Sequence, residues 1–166
     1  MGEAKPVIFN TDEVAKVDNK VIEDLKQRAM ARADKRFRLC LHRSGDDPVH
    51  QMIIVHGKGT YVRPHRHENQ TKSIHMIEGD MLIVLFDDRG NQADRFHMAE
   101  RASGKCFVVR LEKGLWHTEV PLSEPAVFLE TIQGPFRPLT HSSFAPWSPE
   151  PADQAGIDRF MKSILA

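Results

Sequence analysis

The sequence predicts an all-β core with a helix ahead of it and a proline-rich arm behind it. Three observations predict this. Between residues 36 and 134, short runs rich in β-branched and aromatic residues are separated by Gly, Pro, Asp or Asn, with a turn signal every ten residues or so. Ahead of them, Val17, Val21, Leu25 and Ala29 recur at a spacing of four and make one apolar stripe. Behind them, "PFRPLTHSSFAPWSPEP" carries five prolines and reads as a wrapping arm. This rhythm means an antiparallel sandwich or barrel rather than alternating β-α units.

The elements follow in order. After a short extended start, "TDEVAKVDNKVIEDLKQRAMARADKR" reads as helical, with Asp18 as the cap ahead of its stripe. At residue 36 the character changes. "RFRLCLH" sets Phe37, Leu39 and Leu41 against Arg36, Arg38 and Cys40. "HQMIIVH" follows the turn "SGDDP". Then come "TYVRPH", "KSIHMIEG", "MLIVLFDDRG", "CFVVRLEKG", "WHTEVPLS" and "AVFLETIQG", each a strand-length run. "ADQAGIDRFMKSIL", residues 152–165, reads as a short terminal helix. The expected division is an N-terminal helical segment at 1–35, a β domain at 36–134, and a C-terminal arm with a short helix at 135–166.

Composition narrows the function. The 166 residues are 40% apolar and 28% charged, ordinary for a globular protein with one core. Because 23 basic and 23 acidic residues cancel, neither nucleic acid nor an anionic membrane is expected as partner. The longest apolar run near the start is "PVIF", so neither a signal peptide nor a membrane span is expected, and the location expected is cytoplasmic. Cys40 and Cys106 stand far apart and are expected to be two buried thiols.

Nine histidines stand out. His65 and His67 lie two apart, so on a strand both imidazoles face the same way. A His-x-His pair alone is weak, but a glycine marks each end of this two-strand unit: Gly59 is six before His65, and Gly79 is twelve after His67. A third histidine, His117, lies three residues after Gly114 at the start of another expected strand. Three imidazoles converging in a barrel suit a first-row transition ion, with positions left for water or substrate.

Residues 59–79, "GTYVRPHRHENQTKSIHMIEG", resemble the first motif of the cupins, and residues 104–117, "GKCFVVRLEKGLWH", resemble the second. Residues 36–150 more broadly, including "RLCLHRSGDDPVHQM" and "EKGLWHTEVPLSE", resemble the small WbuC-type cupin metalloproteins associated with surface-polysaccharide (O-antigen) gene clusters. The resemblance implies a double-stranded β-helix. It also implies that His65, His67 and His117 ligate a divalent transition metal (Zn, Fe, Ni or Mn), and it suggests a homodimer. Two positions depart from the pattern. The motif's glutamate, seven before its closing glycine, is Lys72 here. The second motif's proline and asparagine are replaced by Glu112 and Pro121.

Lys72 is expected on the inward face with Ile74 and Met76. Burial and a nearby dication would both depress its pKa, leaving it neutral or swung out of the site. Three arrangements are open. Lys72 stands behind a three-histidine centre; or Glu119, which shares inward parity with His117, binds metal or pairs with Lys72; or the metal is lost and these groups do acid–base work. Arg63, on the same face as His65 and His67, is a candidate contact for an anionic substrate. Tyr61 on that face is a candidate proton donor or a packing residue. His75 is expected to face away, half-buried; Trp116 to pack; and Glu78 to be solvated. His42, His50, His56, His97 and His141 have no motif support and are expected at the surface or satisfied in the core.

The function expected is a cupin metalloprotein that binds or transforms a small, oxygen-rich molecule, with surface-polysaccharide sugars suggested by the resemblance. One alternative is a metal-independent sugar-nucleotide isomerase or epimerase, with His65 or His67 as base and Tyr61 or Lys72 as acid. Another is a non-enzymatic ligand cup.

Overall fold

The computed structural model describes residues 6–137 and 142–166. His141 lies outside the described residues. The elements run β1 (Val7–Phe9), α1 (Asn19–Met30), β2 (Arg36–Cys40), β3 (Val49–His56), β4 (His65–Arg66), β5 (Lys72–Glu78), β6 (Asp80–Phe86), β7 (Gln92–Ala99), β8 (Val108–Leu111), β9 (Trp116–Pro121), β10 (Ala126–Gln133), β11 (Ser143–Phe144) and α2 (Gln154–Leu165). Among the described residues the strands form two sheets, ordered β1-β2-β3-β10-β5-β8 and β11-β4-β9-β6-β7. β1 runs parallel to β2, and the other pairings between strands are antiparallel.

The expected helix forms over Asn19–Met30 only, shorter at both ends than the 11–36 stretch read as helical, and Asp18 caps it by accepting a 3.0 Å hydrogen bond from the Val21 amide. Ile22, Leu25 and Ala29 are buried, with Val17 and Val21 packed beside them, on a cluster that includes Phe37, Ile53, Val55 and Val127. Full burial of a leucine such as Leu25 stabilises by about 1.5–3 kcal/mol. This packing orients β2. Its apolar side, Phe37 and Leu39, turns outward to the helix. Its other side faces in: Cys40 joins the core between the sheets, and Arg36 and the exposed Arg38 line a cavity open to solvent. Helix α2 covers the outer face of the second sheet in the same way, through Val84, Phe86, Trp116, Val120 and Ile164.

Between the sheets, Met52, Ile54, Ile74, Met76, Met81, Ile83, Met98 and Phe128 form the central core. Gly79 makes the β5–β6 turn at φ +73°, where a Cβ would come within 2.1 Å of the Ser123 hydroxyl and 2.7 Å of the Pro125 carbonyl. Only glycine fits there, which gives the motif's closing glycine its physical reason.

Four local expectations need correction. "NQADRFHMAE" supplies strand β7, unmarked in the sequence because four of its eight residues are exposed and only its far end, Met98 and Ala99, is buried. "TYVRPH" is mostly irregular, and only His65 and Arg66 pair there. Pro64 offers no amide, but its carbonyl accepts from the Ala145 amide at 2.9 Å. Cys106 is exposed rather than buried, since it precedes β8 at the sheet margin; Cys40 is buried as expected. His75 is exposed rather than half-buried, its ring tilted against Phe107 on the outward face of β5.

Candidate metal centre

β4 and β9 lie side by side with His65 directly opposite His117, and His67 follows β4 by one residue. The three imidazoles come together, with one nitrogen of each within 4.8 Å of the others. Local backbone sets the orientation of two of them. The Nδ1 of His65 lies 3.0 Å from the Arg63 carbonyl, and the Nδ1 of His117 lies 2.8 Å from the Leu115 carbonyl. A carbonyl only accepts, so each Nδ1 carries the proton and each Nε2 keeps its lone pair. The Nε2 of His117 is buried and makes no hydrogen bond among the described residues. Burial lowers the pKa of both rings, and the nearby Lys72 charge pushes His117 down further, well below the ordinary range. Both rings are therefore neutral donors at neutral pH. An orphaned buried nitrogen beside two further imidazoles fits a transition-metal ion.

Lys72 is 2% exposed and inward with Ile74 and Met76, as strand alternation predicts. Its state differs from the expectation. It donates to Glu119 Oε1, and to Glu130 Oε2 at 3.1 Å. Burial alone would lower its pKa, but the two carboxylates outweigh burial and raise it, so Lys72 is an ammonium held inside the barrel. Glu119 is held well below the carboxylate range against its own burial, chiefly by Lys72. The arrangement found is the one in which Glu119 pairs with Lys72. Glu119 Oε1 remains 3.7 Å from His117 Nε2, next to the centre.

Arg63 and Tyr61 line the same cavity as His65 and His67. Arg63 spends its guanidinium on Glu150 (2.7 and 2.9 Å) and on the Ser148 hydroxyl (2.9 Å). The Tyr61 hydroxyl donates to the Pro149 carbonyl at 3.0 Å. Both therefore hold the C-terminal arm. Trp116 packs with Trp147 and donates to Asp88 at 3.0 Å, and Glu78 pairs with Lys26 at 2.8 Å. His42 stacks on buried His50 with centroids 4.1 Å apart, and His97 pairs with Asp80 at 2.8 Å.

Sequence reasoning missed four groups: Arg36, Arg38 and Thr60 on the cavity wall, and Glu130 as the second partner of Lys72. Glu130 had a usable signal, since it alternates with the inward residues Phe128 and Ile132.

A family model described as a domain of unknown function (DUF6016) matches residues 17–98. No curated protein matches. Among solved structures, the capsular polysaccharide assembling protein CapF from Staphylococcus aureus aligns with a TM-score of 0.54 at 15% identity, over 64% of this chain and 29% of that one. CapF with the inhibitor 3-isopropenyl-tropolone aligns at 0.52 and 15%, over 62% and 30%. The fold is that of the cupins. Oxalate decarboxylase from Bacillus subtilis aligns at 0.49 and 19%, over 60% of this chain and 24% of that one. The chain thus spans less than a third of each of these neighbours. Its cupin barrel places three histidines where they could hold a metal ion. No helix among the described residues is long and apolar enough to cross a membrane.

Proposed function

We propose that this chain is a WbuC-type cupin metalloprotein that holds a divalent transition ion through His65, His67 and His117 and binds or transforms a small, oxygen-rich molecule. The carrying observation is the convergence of three imidazoles, two of them with Nδ1 committed to backbone carbonyls. A bound ion there supplies Lewis acidity towards a carbonyl or hydroxyl oxygen, or lowers the pKa of a water. The chain's own residues do the rest. Arg63 and Leu115 carbonyls aim two of the rings, and Lys72 holds Glu119 as a carboxylate beside them. Neutral imidazoles suit Zn, Fe, Ni or Mn. The tie to surface-polysaccharide sugars rests on the motif resemblance, and the same reading includes a cytoplasmic homodimer.

Elemental analysis of the purified protein beside a His65→Ala/His67→Ala variant tests the centre. Near-stoichiometric transition metal in the wild type, lost in the variant, is the expected result. Wild-type protein without metal after growth in added Fe, Zn, Mn and Ni would overturn the reading.

A further inference from the structure

The cavity beside the histidines measures about 790 Å³, within the range of small-molecule sites. Its second wall comes from β2 and the loop after β3, where Arg36, Arg38 and Thr60 line the same space as His65 and His67. This wall carries two arginines, and no carboxylate hydrogen-bonds either guanidinium among the described residues. Two acids line the cavity, Asp34 and Glu130. Asp34 takes Arg32 at 2.8 Å, and Glu130 takes Lys72 at 3.1 Å. The guanidinium of Arg38 makes no hydrogen bond or ion pair among the described residues. Arg36 donates to the Tyr61 carbonyl, and no carboxylate bonds its guanidinium among the described residues. Burial pushes the pKa of Arg36 down by more than the charges of Asp34 and Glu119 raise it. Thr60 is 6% exposed, and its hydroxyl has no hydrogen-bond partner among the described residues. A buried hydroxyl left unpaired is costly, and a ligand oxygen would satisfy it.

We propose that Arg36, Arg38 and Thr60 form a subsite for an anionic group, a carboxylate or a phosphate, on the molecule whose oxygens face the three histidines. The proposal rests on the metal-centre reading for the orientation of that molecule; the anion site itself needs no metal. The forked donors of arginine match a carboxylate or phosphate edge, which a neutral sugar lacks. Arg63, the arginine that the sequence singled out for this task, is already occupied by Glu150.

Titrations followed by amide NMR test this on the full chain stripped of metal with EDTA, using inorganic phosphate, glucuronate and glucose as probes. At least one anion is expected to bind tenfold or more tightly than glucose. Arg38→Ala should weaken that anion at least tenfold and Thr60→Val severalfold. Arg38 is exposed, so its variant keeps the fold. A preference for phosphate assigns a phosphorylated ligand, and a preference for glucuronate assigns a carboxylated one. Glucose binding as well as either anion, no saturable anion binding, or Arg38→Ala binding like the wild type would each overturn the proposal. Anion binding in a protein that elemental analysis finds metal-free would leave this subsite standing and sink only the metal reading.

Discussion

Without the ammonium of Lys72, the carboxylate of Glu119 would remain in a water-poor interior with its main counter-charge gone, and Glu130 would lose a partner as well. Breaking a buried pair from one side costs about 3–5 kcal/mol. Lys72→Met should therefore destabilise by that order in urea unfolding. Adding Glu119→Gln to it should recover part of the loss, and a double variant no better than the single would show that the pair is not coupled. His56 sets a pH dependence. Burial, with Arg36 beside it, holds its pKa down to about 3, against about 6.5 in the unfolded chain. A depressed base binds its proton in the unfolded state first. Its contribution is fully present above pH 6.5 and falls by about 1.4 kcal/mol per unit as pH drops towards 3. His42, His65 and His117 are lowered too and act in the same sense. Urea midpoints at pH 7.5 and 5.5 should show the wild type losing more stability than His56→Gln over that interval.

At the scale of elements, α1 is fastened at its start by one side chain. Asp18→Ala should cost about 0.5–2 kcal/mol, and Asp18→Asn should restore most of it, as read by thermal unfolding. Elements with a clear period were legible. The four-residue stripe gave α1, and alternation placed Lys72, Ile74 and Met76 on one face of β5 and Glu119 with His117 on β9. Strand β7 was not legible, because a solvated strand carrying Asp94 and Arg95 looks like a loop until its partner is known. The same limit hid the anionic subsite. Alternation sorted β2 into two faces, but only the docking of α1 decides that Arg36 and Arg38 face inward. The three histidines were legible because motif glycines fix their spacing. The partners of Lys72 were half legible: Glu119 by parity, while Glu130 sits on a strand distant in sequence.

For the whole molecule, the arm after β10 is bound to the strand that carries the site. β11 pairs with β4, Arg63 bonds Glu150, and Tyr61 bonds Pro149. Glu150 is exposed, so Arg63→Ala should move global stability by no more than about 1 kcal/mol. Limited proteolysis should nonetheless cut the arm severalfold faster in that variant; equal cutting would mean that the ion pair does not hold it.

This attachment sets an order of assembly during synthesis. His65 and His117 lie on strands made well before residues 143–150, so the outer pairing of the His65 strand waits for the arm to emerge. Chains grow N-terminal end first, at about 5–20 residues per second. A growing chain therefore carries all three histidines for about 2–7 seconds before Ser148 and Glu150 are made and can bond Arg63. During that interval the His65 strand is held from the His117 side alone.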